Sequence, residues 1–282
     1  MIGGKALQLQ EMIESSRRPA KVLAVTSGKG GVGKSNISAN LAICLAASDE
    51  KVLLVDGDIS LGNLDIIMDL TSRYTIRHLI NGQKRIEEIV QTGPYGLDII
   101  CGGSGLEQLA NLNEFQRYRL TNELNKMGDE YDSIIIDTAA GIYKSVAGFC
   151  LCSDHTLVVT TPEATAMTDA YAMIKVLSKN NYTGKISLIV NMAETISEGK
   201  KTYHQIANVA MRFLDTEVYN AGVLLKDEKL ISAVRLRSPV VLSYPKSRIS
   251  RSLAALAAKL SKSSAVKASN DGYFKKVVEW FF

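Results

Sequence analysis

Apolar positions along this chain fall into two regimes. Short runs with little polar interruption lie at 22–27, 51–56, 97–101, 132–137, 155–161, 185–191, 219–223 and 240–243, and these read as strands. Between them apolar residues recur every three or four positions, which predicts helices, clearest at 33–47, 113–127, 165–179, 199–214 and 247–260. In the first of these, Ile37, Leu41 and Leu45 stand at i, i+4 and i+8. Strand candidates such as Ser133-Ile134-Ile135-Ile136 and Thr156-Leu157-Val158-Val159-Thr160 are continuously apolar or β-branched. They lack the alternation of a half-exposed sheet, so both faces are expected to be covered. The fold class is therefore α/β: a doubly wound, mainly parallel sheet with helices on both faces.

Two segments depart from this alternation. Residues 1–20 are polar and helix-prone up to Arg17-Arg18-Pro19, where proline stops a helix ahead of the first strand. Residues 261–282 open with a Ser/Lys-rich linker and close on an amphipathic stretch from Asp271. At 100° per residue, Lys275, Lys276 and Glu279 share one side of that stretch. Tyr273, Phe274, Val277, Val278, Trp280 and Phe281 occupy the other. Aromatics opposite lysines on a tether predict a helix that lies in a membrane interface. The expected organisation is an extension over 1–20, one domain over 21–260, and a linker with a membrane-targeting helix over 261–282.

Composition changes this picture little. A chain of 282 residues that is 46% hydrophobic can bury the core of one α/β domain. The four cysteines, Cys44, Cys101, Cys150 and Cys152, show neither zinc-ligand spacing nor a disulfide framework. With no secretory signal and no run of transmembrane length, the expected location is cytoplasmic. The net charge of +4 permits an anionic surface as partner without requiring one.

Candidate chemistry centres on Gly28-Lys29-Gly30-Gly31-Val32-Gly33-Lys34-Ser35, which follows the apolar run Val22–Thr26 and opens the helix at Asn36. This matches G-x-x-x-x-G-K-[ST]: glycines let backbone N–H groups close around phosphates, Lys34 reaches the β- and γ-phosphates, and the Ser35 hydroxyl takes a place on Mg²⁺. Lys29 is one lysine more than that pattern needs. Phosphoryl transfer also requires carboxylates for the metal and the attacking water. Asp56 and Asp58 end the run Val52–Val55, and Asp137 ends Ser133–Ile136. After Asp137 comes a small-residue loop to Gly141 that can approach a γ-phosphate closely.

These segments, with Asp56-Gly57-Asp58-Ile59-Ser60-Leu61-Gly62-Asn63-Leu64-Asp65 and Thr161-Pro162-Glu163 to Tyr171, resemble the MinD/ParA family of deviant-Walker P-loop ATPases over essentially the whole chain. Within it the chain is more similar to the branch that regulates flagellar number and placement than to the cell-division branch. The resemblance implies an ATPase using ATP and Mg²⁺, active as a homodimer in the ATP state. Lys29 would reach the partner's phosphates, while Lys34 holds its own. Ser35 would ligate Mg²⁺, with Asp56 and Asp137 in support, and Asp58 would orient the attacking water. Asn191 would read adenine, with Asp227 near it, although the proline usual two residues before that aspartate is Leu225 here.

The same resemblance implies reversible association with the cytoplasmic face of the membrane. It implies flagellar partners: an FlhF-like GTPase, switch-complex components and a transcription activator. The flagellar branch carries a leader motif D-Q-A-x-x-L-R; in Gly4-Lys5-Ala6-Leu7-Gln8-Leu9-Gln10 only Ala6 and Leu9 match it. The rival readings are a division-site regulator and a DNA-partitioning ATPase. Arg235, Arg237, Lys246, Arg248 and Arg251 are basic enough for nonspecific phosphate contact, but a solvated basic face is the more ordinary reading. DNA is not expected as a partner. An iron–sulfur carrier would need cysteine spacings that Cys101 and Cys150-x-Cys152 do not supply.

Overall fold

The computed structural model describes residues 20–58, 62–71, 74–102 and 130–262, together with Glu123, Met127 and Lys276. Its strands are β1 (Lys21–Ser27), β2 (Val52–Gly57), β3 (Gln91–Thr92), β4 (Asp98–Ile100), β5 (Ser133–Ala140), β6 (His155–Thr160), β7 (Lys185–Ala193) and β8 (Tyr219–Leu225). They form one sheet in the order β3-β4-β2-β5-β1-β6-β7-β8. Every pairing is parallel except β3 with β4. The helices are α1 (Lys34–Ala46), α2 (Leu64–Ile67), α3 (Ile76–Ile80), α4 (Ile86–Ile89), α5 (Lys144–Cys152), α6 (Ala164–Lys179), α7 (Ile196–Leu214), α8 (Glu228–Arg235), α9 (Val240–Ser243) and α10 (Arg248–Lys262).

The apolar strands are covered on both faces, as their unbroken hydrophobicity predicts. Ile135 of β5 joins Ile37, Leu41 and Leu45 of α1 and Leu253 and Leu256 of α10 in one core. Its neighbours Ile134 and Ile136 point the other way, into a core with Phe149 of α5. A third cluster packs Val158 of β6 and Leu188 of β7 against Met173, Ile174 and Leu177 of α6. Each fully buried side chain of this kind contributes roughly 1.5–3 kcal/mol. Cys101, Cys150 and Cys152 are buried in these cores and Cys44 is half-buried, none of them in a disulfide.

β1 lies between β5 and β6, so the chain builds outward from it in both directions. Doubly wound sheets bind ligands at that switch point, beyond the carboxyl ends of the strands. The register reinforces this: Asp137 lies opposite Val25 on β1 and opposite Asp56 on β2.

One expected strand is a helix. Residues 240–243 form a single helical turn, with the Tyr244 N–H donating to the Val240 carbonyl at 2.8 Å. Pro239 precedes the turn, and Val240 is buried in the core that holds Ile37, Leu41 and Leu45 of α1. A short apolar run has no period of its own, and here the space over α1 decides its conformation. The two-residue antiparallel edge strand β3 was also not expected. The leader over 1–19, most of the predicted helix over 113–127 and the apolar side of the tail lie outside the described residues. Among the described residues, no helix is long and apolar enough to cross a membrane.

Candidate nucleotide site

The phosphate loop runs from the end of β1 to the start of α1. Gly31 and Gly33 take positive φ values of 80° and 89°, where side chains are disfavoured. Gly33 is the N-cap of α1 and supplies no side-chain cap, and the first helical turn holds no acid. The amides at this helix start are thus oriented for an anionic ligand. The loop also rests on α6: a Cβ on Gly28 would sit 2.2 Å from the Asp169 carbonyl oxygen. The Ser27 hydroxyl donates to the Lys29 carbonyl at 2.9 Å.

Lys34 turns inward. Only 8% exposed, it meets the Asp137 carboxylate at 3.2 Å. The Ser38 hydroxyl lies 2.9 Å from the same Oδ1 and 3.1 Å from the Lys34 carbonyl, so its single proton serves one or the other. Burial pushes the Asp137 carboxyl above its ordinary value, opposed by Lys34 and by the hydroxyls of Ser35 and Ser38. Ser38 was not singled out from the sequence, although its place one turn after Lys34 puts both on one face of the helix.

Asp56 stands beside Asp137 in register. Burial first, and then the Asp137 and Asp58 charges, push its pKa up to about 7. Its two oxygens accept backbone N–H bonds from Asp58 at 3.0 Å and Leu64 at 3.4 Å. Backbone closes around it: a Cβ on Gly102 would lie 2.9 Å from its Cγ, and one on Gly62 2.5 Å from its Oδ2. Two neighbouring buried carboxylates, both made reluctant to ionise by burial, and a hydroxyl form a donor set suited to a hard divalent cation. Among the described residues no three His, Cys, Asp or Glu side chains converge. Magnesium sites with one or two carboxylates, completed by substrate phosphates and water, have that composition.

Lys29 turns outward. Its ammonium donates to Glu163 Oε2 at 2.7 Å and Thr165 Oγ1 at 3.0 Å, at the start of α6, with 39% of the side chain exposed. Gly141, at φ 102°, donates its N–H to the Ser27 carbonyl at 2.8 Å, joining the end of β5 to the loop.

Asn191 lies near the C-terminal end of β7, and Asp227 follows the end of its neighbour β8. The Asn191 amide donates to the Val32 carbonyl at 2.8 Å, inside the phosphate loop. Both Asp227 oxygens accept backbone amides, from Lys229 at 2.8 Å and Ile249 at 3.1 Å. It therefore caps α8 and the start of α10. Arg235, Arg237, Lys246, Arg248 and Arg251 are all exposed.

A strand, a glycine loop and a helix at the switch point, with an inward lysine held by an aspartate of the adjacent strand, define a P-loop nucleoside triphosphatase. An AAA domain family model, AAA_31, matches residues 20–196. The chain is 35% identical to the antiactivator FleN of Pseudomonas aeruginosa over 94% of each chain. It is also 35% identical to the flagellum site-determining protein YlxH of Helicobacter pylori, over 92% of this chain and 90% of that one. The solved structure of the septum site-determining protein MinD of Pyrococcus horikoshii, complexed with Mg-ADP, shares the fold. Its TM-score is 0.72 at 23% identity, covering 89% of this chain and 99% of that one. The chain belongs to the MinD/ParA family of P-loop ATPases, in the group that includes FleN and YlxH.

Proposed function

We propose that this ATPase is a dimerising, membrane-associating switch that regulates flagellar number or placement. The observation that carries this reading is the division of labour between two lysines. Lys34 is buried on Asp137 within its own site, whereas Lys29 stands at the outer rim on Glu163 and Thr165. A rim lysine is placed to enter the site of a facing copy, where its charge would stabilise the transferring phosphoryl group as an arginine finger does. The γ-phosphate then becomes the glue between two copies, and its hydrolysis separates them.

Within each copy the loop amides and Lys34 hold the phosphates, with Asn36 and Gly141 beside them. Ser35, Asp56 and Asp137 would hold Mg²⁺, which when bound neutralises charge on the phosphate oxygens. Asp58, just after β2, would orient the attacking water. Asn191 and Asp227, at the ends of adjacent strands, form the edge where the adenine would lie.

The tail supplies the output. Partial burial of its six apolar side chains yields roughly 5–10 kcal/mol gross. Ordering the segment on the surface costs a comparable amount, at about 1 kcal/mol or more per residue. One tail therefore binds weakly, and two on a dimer gain about 10²–10⁴ in avidity. The name of YlxH, a flagellum site-determining protein, supports the flagellar reading over a division-site role. An FlhF-like GTPase, switch-complex components and a transcription activator are the candidate partners.

Liposome sedimentation tests the reading. The full chain should sediment with anionic vesicles in ATP and stay in solution in ADP. A chain ending at Asn270 should keep its ATPase turnover and lose sedimentation. Equal sedimentation of both chains would overturn the membrane role.

A further inference from the structure

Strand β7 does not end regularly. It pairs with β8 at Val190↔Val223 and next at Ala193↔Leu225, so Asn191 and Met192 together face the single residue Leu224. This is a β-bulge, a device that re-aims a side chain next to a functional site. Met192 takes a φ of 56°, a left-handed conformation uncommon for a residue with a side chain. The bulge directs the Asn191 amide into the phosphate loop, where Nδ2 donates to the Val32 carbonyl at 2.8 Å with the residue only 2% exposed.

The loop is shaped to receive it. A Cβ on Gly33 would sit 2.4 Å from Asn191 Nδ2 and 3.6 Å from Met192 Cε. Gly33 itself is left-handed, at φ 89°. Two departures from regular backbone, the bulge with its left-handed Met192 and the left-handed Gly33, thus meet at one hydrogen bond. Its consequence is geometric. The Val32 carbonyl and the Gly33 N–H belong to one planar trans peptide and point in opposite directions. Drawing the carbonyl toward Asn191 aims the Gly33 N–H away from it, to the phosphate side of the loop.

We infer that Asn191 is a positioning residue that clamps the phosphate loop, so that the base edge of the site and the phosphate cradle are set by one side chain. This goes beyond any contact of Asn191 with adenine, because a clamp acts on ligands that have no base. The probe that separates the two is tripolyphosphate with Mg²⁺, which offers the loop its phosphates and lacks both ribose and adenine.

Binding of tripolyphosphate and of ATP is measured by displacement of a fluorescent ATP analogue from the full chain, for the wild type, Asn191→Ala and Asn191→Asp. Thermal unfolding of each nucleotide-free variant checks the fold. The aspartate keeps the shape of asparagine but cannot donate and adds a charge that itself repels phosphate, so the uncharged Asn191→Ser decides if the alanine variant does not fold. The expected result is a fall in tripolyphosphate affinity on the order of tenfold, with a fall at least as large for ATP. Unchanged tripolyphosphate affinity alongside weakened ATP binding would make Asn191 a base reader alone and overturn the clamp. So would unchanged affinity for both ligands, or a wild-type loop that takes no tripolyphosphate.

Discussion

The Lys29 ammonium and the Glu163 carboxylate form a 2.7 Å ion pair within one subunit, between the phosphate loop and the first turn of α6. The pair spans 134 positions in sequence, and its rim location makes it a competitor for the lysine that the proposed dimer uses. An exposed pair of this kind contributes only roughly 0.2–1 kcal/mol, so the hold is light.

Lys29→Ala is expected to keep nucleotide binding and to lose ATP-dependent dimerisation and turnover. Glu163→Gln removes the competitor and should lower the ATP concentration that half-dimerises the chain by up to about fivefold. Sedimentation velocity in ATP measures both. A Lys29→Ala dimer as stable as the wild type would sink the two-copy reading.

Ser38→Ala should slow turnover with little change in nucleotide affinity. The hydroxyl lies 2.9 Å from Asp137 and the carboxylate it helps to place is buried. Asp137→Asn should cost about 10²-fold or more in turnover, because the neutral amide no longer balances Lys34. Phosphate release under saturating ATP is the measurement, with binding checked separately. Full activity in Asp137→Asn would remove that residue from the machinery.

Two glycines separate loop placement from general stability. Gly28→Ala drives a Cβ against the Asp169 carbonyl at 2.2 Å, so the loop must shift on α6. Nucleotide affinity should fall by about tenfold or more, and stability by roughly 1–3 kcal/mol. Gly199→Ala meets Val223 Cγ1 at 2.3 Å, where α7 crosses β8. It should cost a similar stability while leaving nucleotide affinity unchanged in the protein that remains folded. Calorimetric unfolding and nucleotide titration on the same samples distinguish the two patterns.

His155 sets part of the response to acid. Burial, followed by the charges of Lys21, Lys185 and Lys259, lowers its pKa from 6.5 to about 3. The unfolded chain therefore binds more protons between those values, and stability falls as pH drops through that window, by up to roughly 5 kcal/mol from this group. Asp56 acts in the opposite sense: its folded pKa of about 7 lies above the ordinary 3.8, so its contribution falls as pH rises between them. His155→Gln should flatten the acid limb. A variant with the same slope as the wild type between pH 6.5 and 4 would exclude His155 as its source.

Much of the scaffold was legible because strand and helix periods arise from local backbone geometry. Unbroken runs such as Ile134–Ile136 predicted a sheet buried on both faces, and the structure covers them so. The spacing of Gly28 through Ser35 needed only its flanking strand and helix to identify the phosphate loop. Val240–Ser243 failed by the same logic: a four-residue apolar run carries no period, and the surface of α1 chose a turn for it.

By itself, then, the sequence determined the fold class, the phosphate loop and the strands that carry Asp56 and Asp137, although β5 runs on past Asp137 to Ala140. Each is written in residues near one another along the chain, where backbone geometry alone links pattern to structure. Only the tertiary structure decided what those side chains touch. Lys29 meets Glu163, Asn191 reaches Val32 across 159 positions, and both Asp227 oxygens serve helix caps. Such contacts depend on which strands lie adjacent in the sheet and on a single bulge in β7. Sheet order and bulge position are set by packing between distant segments, which no local pattern records.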